Sequence, residues 1–325
     1  MNPLVGHRAA TAAFVAAMAG GRLHHAWLIA GAPGIGKARF AAAAALRLLA
    51  EAAGPAPATA PLDVPDDHPV ARLVAAGSHP DFVRLERPED AVTGALKRSI
   101  PIEQVRQLLR RFATTPSLSP RRVVLIDGAE DMERAAANAL LKALEEPPAG
   151  TVFLLVSHAP GRLLPTIRSR CRLLALQPLA DAETATVLRA ERPDLAVDEI
   201  AALAAAAGGA PGTALRYAGL DVAGLDAALD RLVRHGDPSN AIRGPLARAL
   251  GLKSAQPRYE AFLDRAPARL AAEARRGRAE AVGLWEEARR LADGAVRLSL
   301  DPQVTVFELA GLVARLAPSS GDARG

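Results

Sequence analysis

The sequence predicts an α/β fold in which one parallel sheet is covered by helices on both faces and is followed by a wholly helical C-terminal part. Three observations carry this expectation. Strand-like runs alternate with helical ones up to about residue 180, and most of the strand-like runs are apolar almost throughout, as strands buried on both faces are. From Asp181 onward the strand signals stop and apolar residues recur at helical spacing. Only 3% of residues are aromatic, while Ala and Leu dominate the hydrophobic 50%, which favours packed helices over an aromatic-rich sandwich.

Residues 8 to 19 form an expected helix ended by Gly20-Gly21, and HAWLIA is a short apolar strand that delivers the chain into GAPGIGKA, residues 31 to 38. The phosphate-loop pattern is G-x-x-x-x-G-K followed by Ser or Thr. Here Gly31, Gly36 and Lys37 are in place, with Pro33, Gly34 and Ile35 between them, but the hydroxyl position holds Ala38. The run ARFAAAAALRLLAEAAG then reads as a helix ending near Gly54, and strand, glycine loop, helix is the context that a phosphate loop requires.

Residues 55 to 69, PAPATAPLDVPDDHP, read as an irregular Pro- and Ala-rich excursion without visible chemistry. A short helix (ARLVAAG) and a strand (FVRLER) follow, and Pro101 opens the helix PIEQVRQLLRRFATT. That helix carries Val105, Leu108, Leu109 and Phe112 on one face and Arg106, Arg110 and Arg111 mostly on the other, a basic face that suits a nucleic-acid backbone or plain solvent. RRVVLID, residues 121 to 127, is a strand ending in a carboxylate, and EDMERAAANALLKALEEPP is a helix stopped by Pro147-Pro148. TVFLLVS, residues 151 to 157, is another strand, and the basic segment GRLLPTIRSR leads to CRLLALQPL as the last one. Residues 181 to 220 read as two or three short helices broken by GGAPG, and residues 221 to 318 as about five amphipathic helices, with no internal repeat.

At 325 residues the chain is long enough for two or three domains. Its 40 basic residues against 35 acidic give a net charge of +5, and since only Lys37, Lys97, Lys142 and Lys253 are lysines, the skew suits a GC-rich genome as well as an anionic partner. The lone Cys171 excludes an internal disulfide and a cysteine-rich zinc site, which fits a reducing, cytoplasmic setting. TAAFVAAMA sits behind one Arg and runs on into a strand without a cleavage site, and no run is long and apolar enough to span a bilayer, so no membrane association is expected.

In a working nucleotide hydrolase the loop's N–H groups and lysine hold the phosphates while the Ser or Thr hydroxyl ligates Mg²⁺. Ala38 removes that ligand. Asp127 sits where a second motif places its metal-organising carboxylate, but Gly128 follows where a glutamate would activate water. A positioned base contributes roughly 10² to 10⁴ in rate, so little hydrolysis is expected. Glu130 and Asp131 are read as caps on the next helix in preference to substitute bases. Arg168, Arg170 and Arg172 alternate through IRSRCR, either as a charged edge or turn in water or as a source of an arginine lent to a neighbour's phosphates, and spacing alone favours the first. His24, His25, His68, His79 and His158 lack helical metal spacing and are read as surface or capping residues.

Taken together, HAWLIAGAPGIGKA, RRVVLIDGAEDM, NALLKALEEPP, TVFLLVSHAP and IRSRC, in this order, resemble the clamp-loader branch of the AAA+ ATPases over about residues 4 to 220. NALLKALEEPP followed by the S-R-C triplet carries most of the specificity. The resemblance implies an AAA+ nucleotide-binding-type domain at 1–179, a helical lid at 180–220 and an all-α collar at 221–325 that joins five subunits into a ring opening the sliding clamp. It implies as partners the motor and delta subunits, met through the collar and Arg170, and the clamp and primed DNA through the complex. Arg170 holds the middle position of S-R-C, whose arginine completes the ATP site of an adjacent motor subunit, and this reverses the balance that spacing left.

Two departures from the family are legible. Many relatives carry a four-cysteine zinc module after the first helix, whereas residues 51 to 81 contain no cysteine and offer only His68 and His79 as good donors, so no zinc is expected. The active relatives' second sensor is the arginine of a G-x-x-R turn, and the turn opened by Gly212 reads GTAL, with Leu215 in that place. The loop is therefore expected to survive as architecture: no cofactor is required, ATP or ADP binding stays open, and turnover is not expected. The rival reading is an active ATPase, a motor subunit of the same assembly or a branch-migration helicase. Ala38 and Gly128 speak against it, and the lack of a long tail beyond the collar speaks against an extended motor. A free-standing nucleic-acid-binding protein would have to bind without partner subunits.

Overall fold

Side chains alternate across a strand, so a strand that is apolar at every position has to be covered on both sides. The computed structural model, which describes residues 4–21, 23–55, 61–90, 94 and 96–318, meets that requirement with five parallel strands. In chain order they are β1 (Ala26–Ala30), β2 (Phe82–Leu85), β3 (Arg122–Asp127), β4 (Thr151–Ser157) and β5 (Arg172–Ala175), and side by side they run β2-β3-β4-β1-β5. Every residue of β1 and β4 is buried. β3 sends Val123 and Leu125 into one layer and Val124 and Ile126 into the other, and β4 divides Val152 and Leu154 from Phe153 and Leu155 in the same way.

The first layer is closed by α1 (Arg8–Ala19), α2 (Lys37–Ala53) and α3 (Pro69–Ala75). The few aromatic residues are used here: Phe14 and Phe40 are fully buried with Trp27, and Phe14 meets the Trp27 ring edge-on at 5.0 Å. The alanine run of α2 buries Ala41, Ala44 and Ala45 against the sheet. The second layer is closed by α4 (Ile102–Arg111), α5 (Arg134–Glu145) and α6 (Pro165–Arg168), through Val105, Leu108, Leu140 and Ile167. Burying each of these large side chains stabilises the fold by about 1.5–3 kcal/mol. The structure is thus the α/β phosphate-loop fold that the sequence predicts.

Two details differ from the sequence reading. The helix expected from Glu130 begins only at Arg134, because residues 129–131 form a separate 3₁₀ turn and Met132 is extended. The cause is long-range: Ile100, just before α4, takes the Asp131 carbonyl and offers its own to the Glu133 N–H, so this stretch is drawn into a short parallel bridge. Within the Pro- and Ala-rich excursion, residues 56–60 lie outside the described residues, but Leu62 is buried in the first core layer.

Packing divides the chain into two compact units, residues 1–213 and 214–325. The first includes α7 (Asp181–Glu191) and α8 (Val197–Ala206), and α9 (Pro211–Tyr217) starts in it and ends in the second. The second unit holds α10 (Val222–His235), α11 (Arg243–Leu250), α12 (Gln256–Arg275), α13 (Glu280–Arg297) and α14 (Pro302–Ala314). Its interior is mostly aliphatic, with Leu225, Leu229, Leu270, Val306 and Leu309 buried around the aromatic Phe262, and Arg269 of α12 pairs with Asp230 of α10 at 2.8 Å. Among the described residues no helix is long and apolar enough to cross a membrane.

The turn into β4 sets a steric limit. Gly150 has φ 72°, and a Cβ there would lie 2.0 Å from the Pro120 carbonyl oxygen. Gly150→Ala is expected to lower the unfolding free energy of the first unit by roughly 2 kcal/mol or more. Gly77→Ala, at φ 65° with open space around its Cβ, is expected to cost only about 1 kcal/mol, the conformational part alone. Urea unfolding of the two variants measures the difference.

Candidate functional site: a phosphate loop at the strand ends

Register brings the polar groups together. Ala30 of β1 lies opposite Ser157 of β4, and Asp127 of β3 lies opposite Val156, so three strand ends line one edge of the sheet. This carboxyl edge is where open α/β sheets place ligands. From Ala30 the chain makes the loop 31–36, pinned from beneath by the buried Ile35, and enters α2 with Gly36 at its N-cap, so the N–H groups of the first helical turn face the loop.

The loop keeps its shape with its own groups. Lys37 is buried, and its Nζ donates to the Ala32 carbonyl at 2.6 Å, closing the loop on itself. Burial lowers the Lys37 pKa, against the carboxylates of Glu130 and then Asp127, which raise it. Ala38 presents a methyl group one residue into the helix.

Two outside segments rest on the loop. His7 donates from Nε2 to the Ile35 carbonyl at 2.8 Å, and burial pushes its pKa down, against that hydrogen bond and Glu183. The sequence reading passed over His7; its only local signal is the Gly6-His7 pair in left-handed conformation just before α1. The second segment is the turn that Gly212 opens. The Gly212 N–H donates to the Gly34 carbonyl at 2.8 Å, and a Cβ on Gly34 would lie 2.6 Å from Thr213 Oγ1. Only a glycine allows this approach. The residue of this turn that lies against the loop is Gly212, because α9 starts at Pro211 and meets the loop with its first turn.

The second motif is equally self-contained. Asp127 Oδ2 accepts from Arg84 Nη2 at 2.9 Å, and the same nitrogen reaches Glu86 Oε2 at 2.7 Å. Gly128 offers no side chain. Glu130 has no exposed side-chain surface, and its Oε1 accepts from the His158 N–H at 2.9 Å, the Ala159 N–H at 3.1 Å and His158 Nδ1 at 2.7 Å. Burial alone would raise its pKa, but these hydrogen bonds and the His158 ring hold the carboxyl at about 2. Glu130 thus caps the turn after β4 and not the helix that follows it, since that helix starts at Arg134, four residues later than expected.

The three arginines of IRSRCR occupy three environments. Arg168 is exposed, Arg172 stacks its guanidinium over the Trp27 ring at 4.9 Å, and Arg170 pairs with Glu145 at the end of α5 at 2.6 Å while also donating to the Thr166 carbonyl. His68 and His79 accept N–H groups two residues on, from Val70 and Asp81, as capping residues do. Burial pushes the Cys171 thiol up to about 12, which leaves it unreactive at neutral pH. Among the described residues no group of three or more His, Cys, Asp or Glu is placed to hold a metal.

The family described as DNA polymerase III, delta subunit, matches residues 6–180, just over half of the chain. DNA polymerase III subunit delta' of Pseudomonas aeruginosa is 42% identical over 205 residues, covering 62% of this chain and 59% of the relative. The subunit of the same name from Escherichia coli is 35% identical over 207 residues, covering 62% and 56%. The chain thus spans less than two thirds of the length of these relatives. A solved structure of a DNA polymerase III gamma-subunit-related protein from Thermotoga maritima aligns with a TM-score of 0.41 at 18% identity, over 90% of this chain and 95% of that one.

The Glu130 anchor has a pH signature. A carboxyl whose folded pKa is depressed stabilises the fold above its unfolded value and loses that contribution as pH falls through the folded one. Glu130→Gln is expected to cost about 1–2 kcal/mol at neutral pH. The gap from wild type should close between the ordinary 4.5 and about 2. Urea unfolding of both proteins across that window measures it.

Proposed function

We propose, on the premise that the chain belongs to the DNA polymerase III delta-subunit family, that it is a delta'-type subunit of a bacterial clamp loader which completes a neighbour's ATP site without turning over ATP itself. The observation that carries the reading is the missing base: Gly128 follows Asp127, and the nearby Glu130 is committed to His158 and Ala159. Position 128 then offers a nucleophilic water no carboxylate to orient it. Ala38 adds the loss of the magnesium-ligating hydroxyl. The loop then serves as architecture, requiring neither nucleotide nor zinc.

In this reading the chain joins motor and delta subunits through residues 221–325 and helps open the sliding clamp on primed DNA. Support for the collar role comes from the apolar residues that α13 and α14 leave exposed, Val282, Trp285 and Val304. Arg170 is the arginine offered across the ring. Its side chain is a third exposed, and Glu145 and Thr166 fix the guanidinium before any partner arrives. A charge held in advance loses less on docking than a free one.

Two measurements test the proposal. The isolated chain at saturating MgATP is expected to release phosphate at background rate; a rate typical of an AAA+ motor, lost in Lys37→Ala, would refute the non-hydrolysing reading. In a reconstituted loader, Arg170→Ala is expected to assemble normally and to lower DNA- and clamp-stimulated ATPase only in part, since this chain completes one site among several, while clamp loading falls further. Removing such an arginine at a single site costs about 10³ or more in rate there. Arg168→Ala is the fitting control, because Arg172 is engaged with Trp27. Equal effects of Arg168→Ala and Arg170→Ala would reduce Arg170 to a surface charge.

A further inference from the structure

We infer that Arg84 is a built-in cation standing in for the divalent metal at Asp127, so that this phosphate site has no metal-binding form. The inference extends the reading of residues 31–38 as a former nucleotide site and is independent of the role of Arg170.

Magnesium takes oxygen ligands in near-octahedral geometry, and a phosphate-loop site supplies them from the hydroxyl after the lysine and from the carboxylate at the end of the second-motif strand. Here the residues do not fit the ion. Ala38 has no oxygen to give, and Asp127 Oδ2 is engaged by Arg84 Nη2 at 2.9 Å. Glu130 Oε1 is committed to the turn after β4.

Arg84 reaches Asp127 because of the strand order. β2 lies beside β3 with Arg84 opposite Leu125, two residues short of Asp127, so a long side chain pointing along the sheet edge ends at the carboxylate. Its Nη2 also binds Glu86 at 2.7 Å, so one guanidinium nitrogen gathers two carboxylates. A guanidinium is charged at every accessible pH, so the pair has no titrated state that admits a metal. An incoming divalent ion would have to displace this cation against like-charge repulsion and then find one protein ligand fewer than usual. Surface ion pairs as exposed as this one add little to stability. The consequence of Arg84 is thus chemical selectivity: it keeps two neighbouring carboxylates from recruiting a metal.

The test is Mn²⁺ titration of the full chain, with free Mn²⁺ read by electron paramagnetic resonance. Wild type is expected to show no Mn²⁺ site that depends on Asp127. Arg84→Ala, which releases Asp127 and Glu86 together, is expected to gain one site at least about tenfold tighter than any in wild type. Adding Asp127→Asn to Arg84→Ala should abolish it. Arg84→Gln, which keeps the stem and drops the charge, should gain the same site and serves if the alanine variant folds poorly. A wild-type Mn²⁺ site lost in Asp127→Asn would overturn the inference, as would charge-removing variants that fold and gain nothing. The ATPase assay separates this from the proposed function: turnover without a wild-type Mn²⁺ site sinks only the non-hydrolysing reading, and a wild-type Mn²⁺ site without turnover sinks only this inference.

Discussion

A parallel sheet buried on both faces has nowhere to put polar side chains except at the ends of its strands, and the rest of the first unit follows from that constraint. Val123 to Ile126 and Val152 to Leu155 alternate between two dry layers, so the first polar positions after them are Asp127 and Ser157. Register then sets Ser157 beside Ala30, where the loop begins, and Asp127 opposite Val156 on the far side of β4. The site is the place where the apolar pattern stops, and its geometry survives as long as the two core layers do.

Within that geometry the charged groups of the site are held by other groups of the same chain. Each charge that would serve a nucleotide has an internal partner or a nearby opposite charge. Lys37 is tied to the Ala32 carbonyl, Asp127 to Arg84, and Glu130 to His158 and the turn after β4. A buried charge without a partner is costly, so the contacts of the buried Lys37 and Glu130 side chains help to hold this part of the fold. The contact between Gly212 and the loop follows the same logic: the Gly212 N–H satisfies the Gly34 carbonyl directly, backbone to backbone.

The segment IRSRCR shows how little a local charge pattern says about roles. One arginine is in solvent, one lies on an aromatic ring, and one is fixed by a glutamate at the end of α5. Their alternation reflects the short helix α6 ending and β5 starting, and only their neighbours tell them apart.

The sequence by itself determined the elements whose signals are local: the apolar strands, the alanine-rich helix after the glycine loop, the five helices of the second unit, the missing hydroxyl at Ala38 and the missing base at Gly128. Periodicity and glycine spacing act within a few residues, so they can be read along the chain. The contacts that give the site its character join distant positions. Arg84 and Asp127 are 43 residues apart, His7 and Ile35 are 28 apart, Glu130 and His158 are 28 apart, and Gly34 meets Gly212. The start of α5 was misplaced for the same reason, since the bridge to Ile100 decides it. Only the tertiary structure settled these, because a strand's apolar pattern fixes which faces are buried but not which strand lies beside it, and every one of these partners is chosen by what lies alongside.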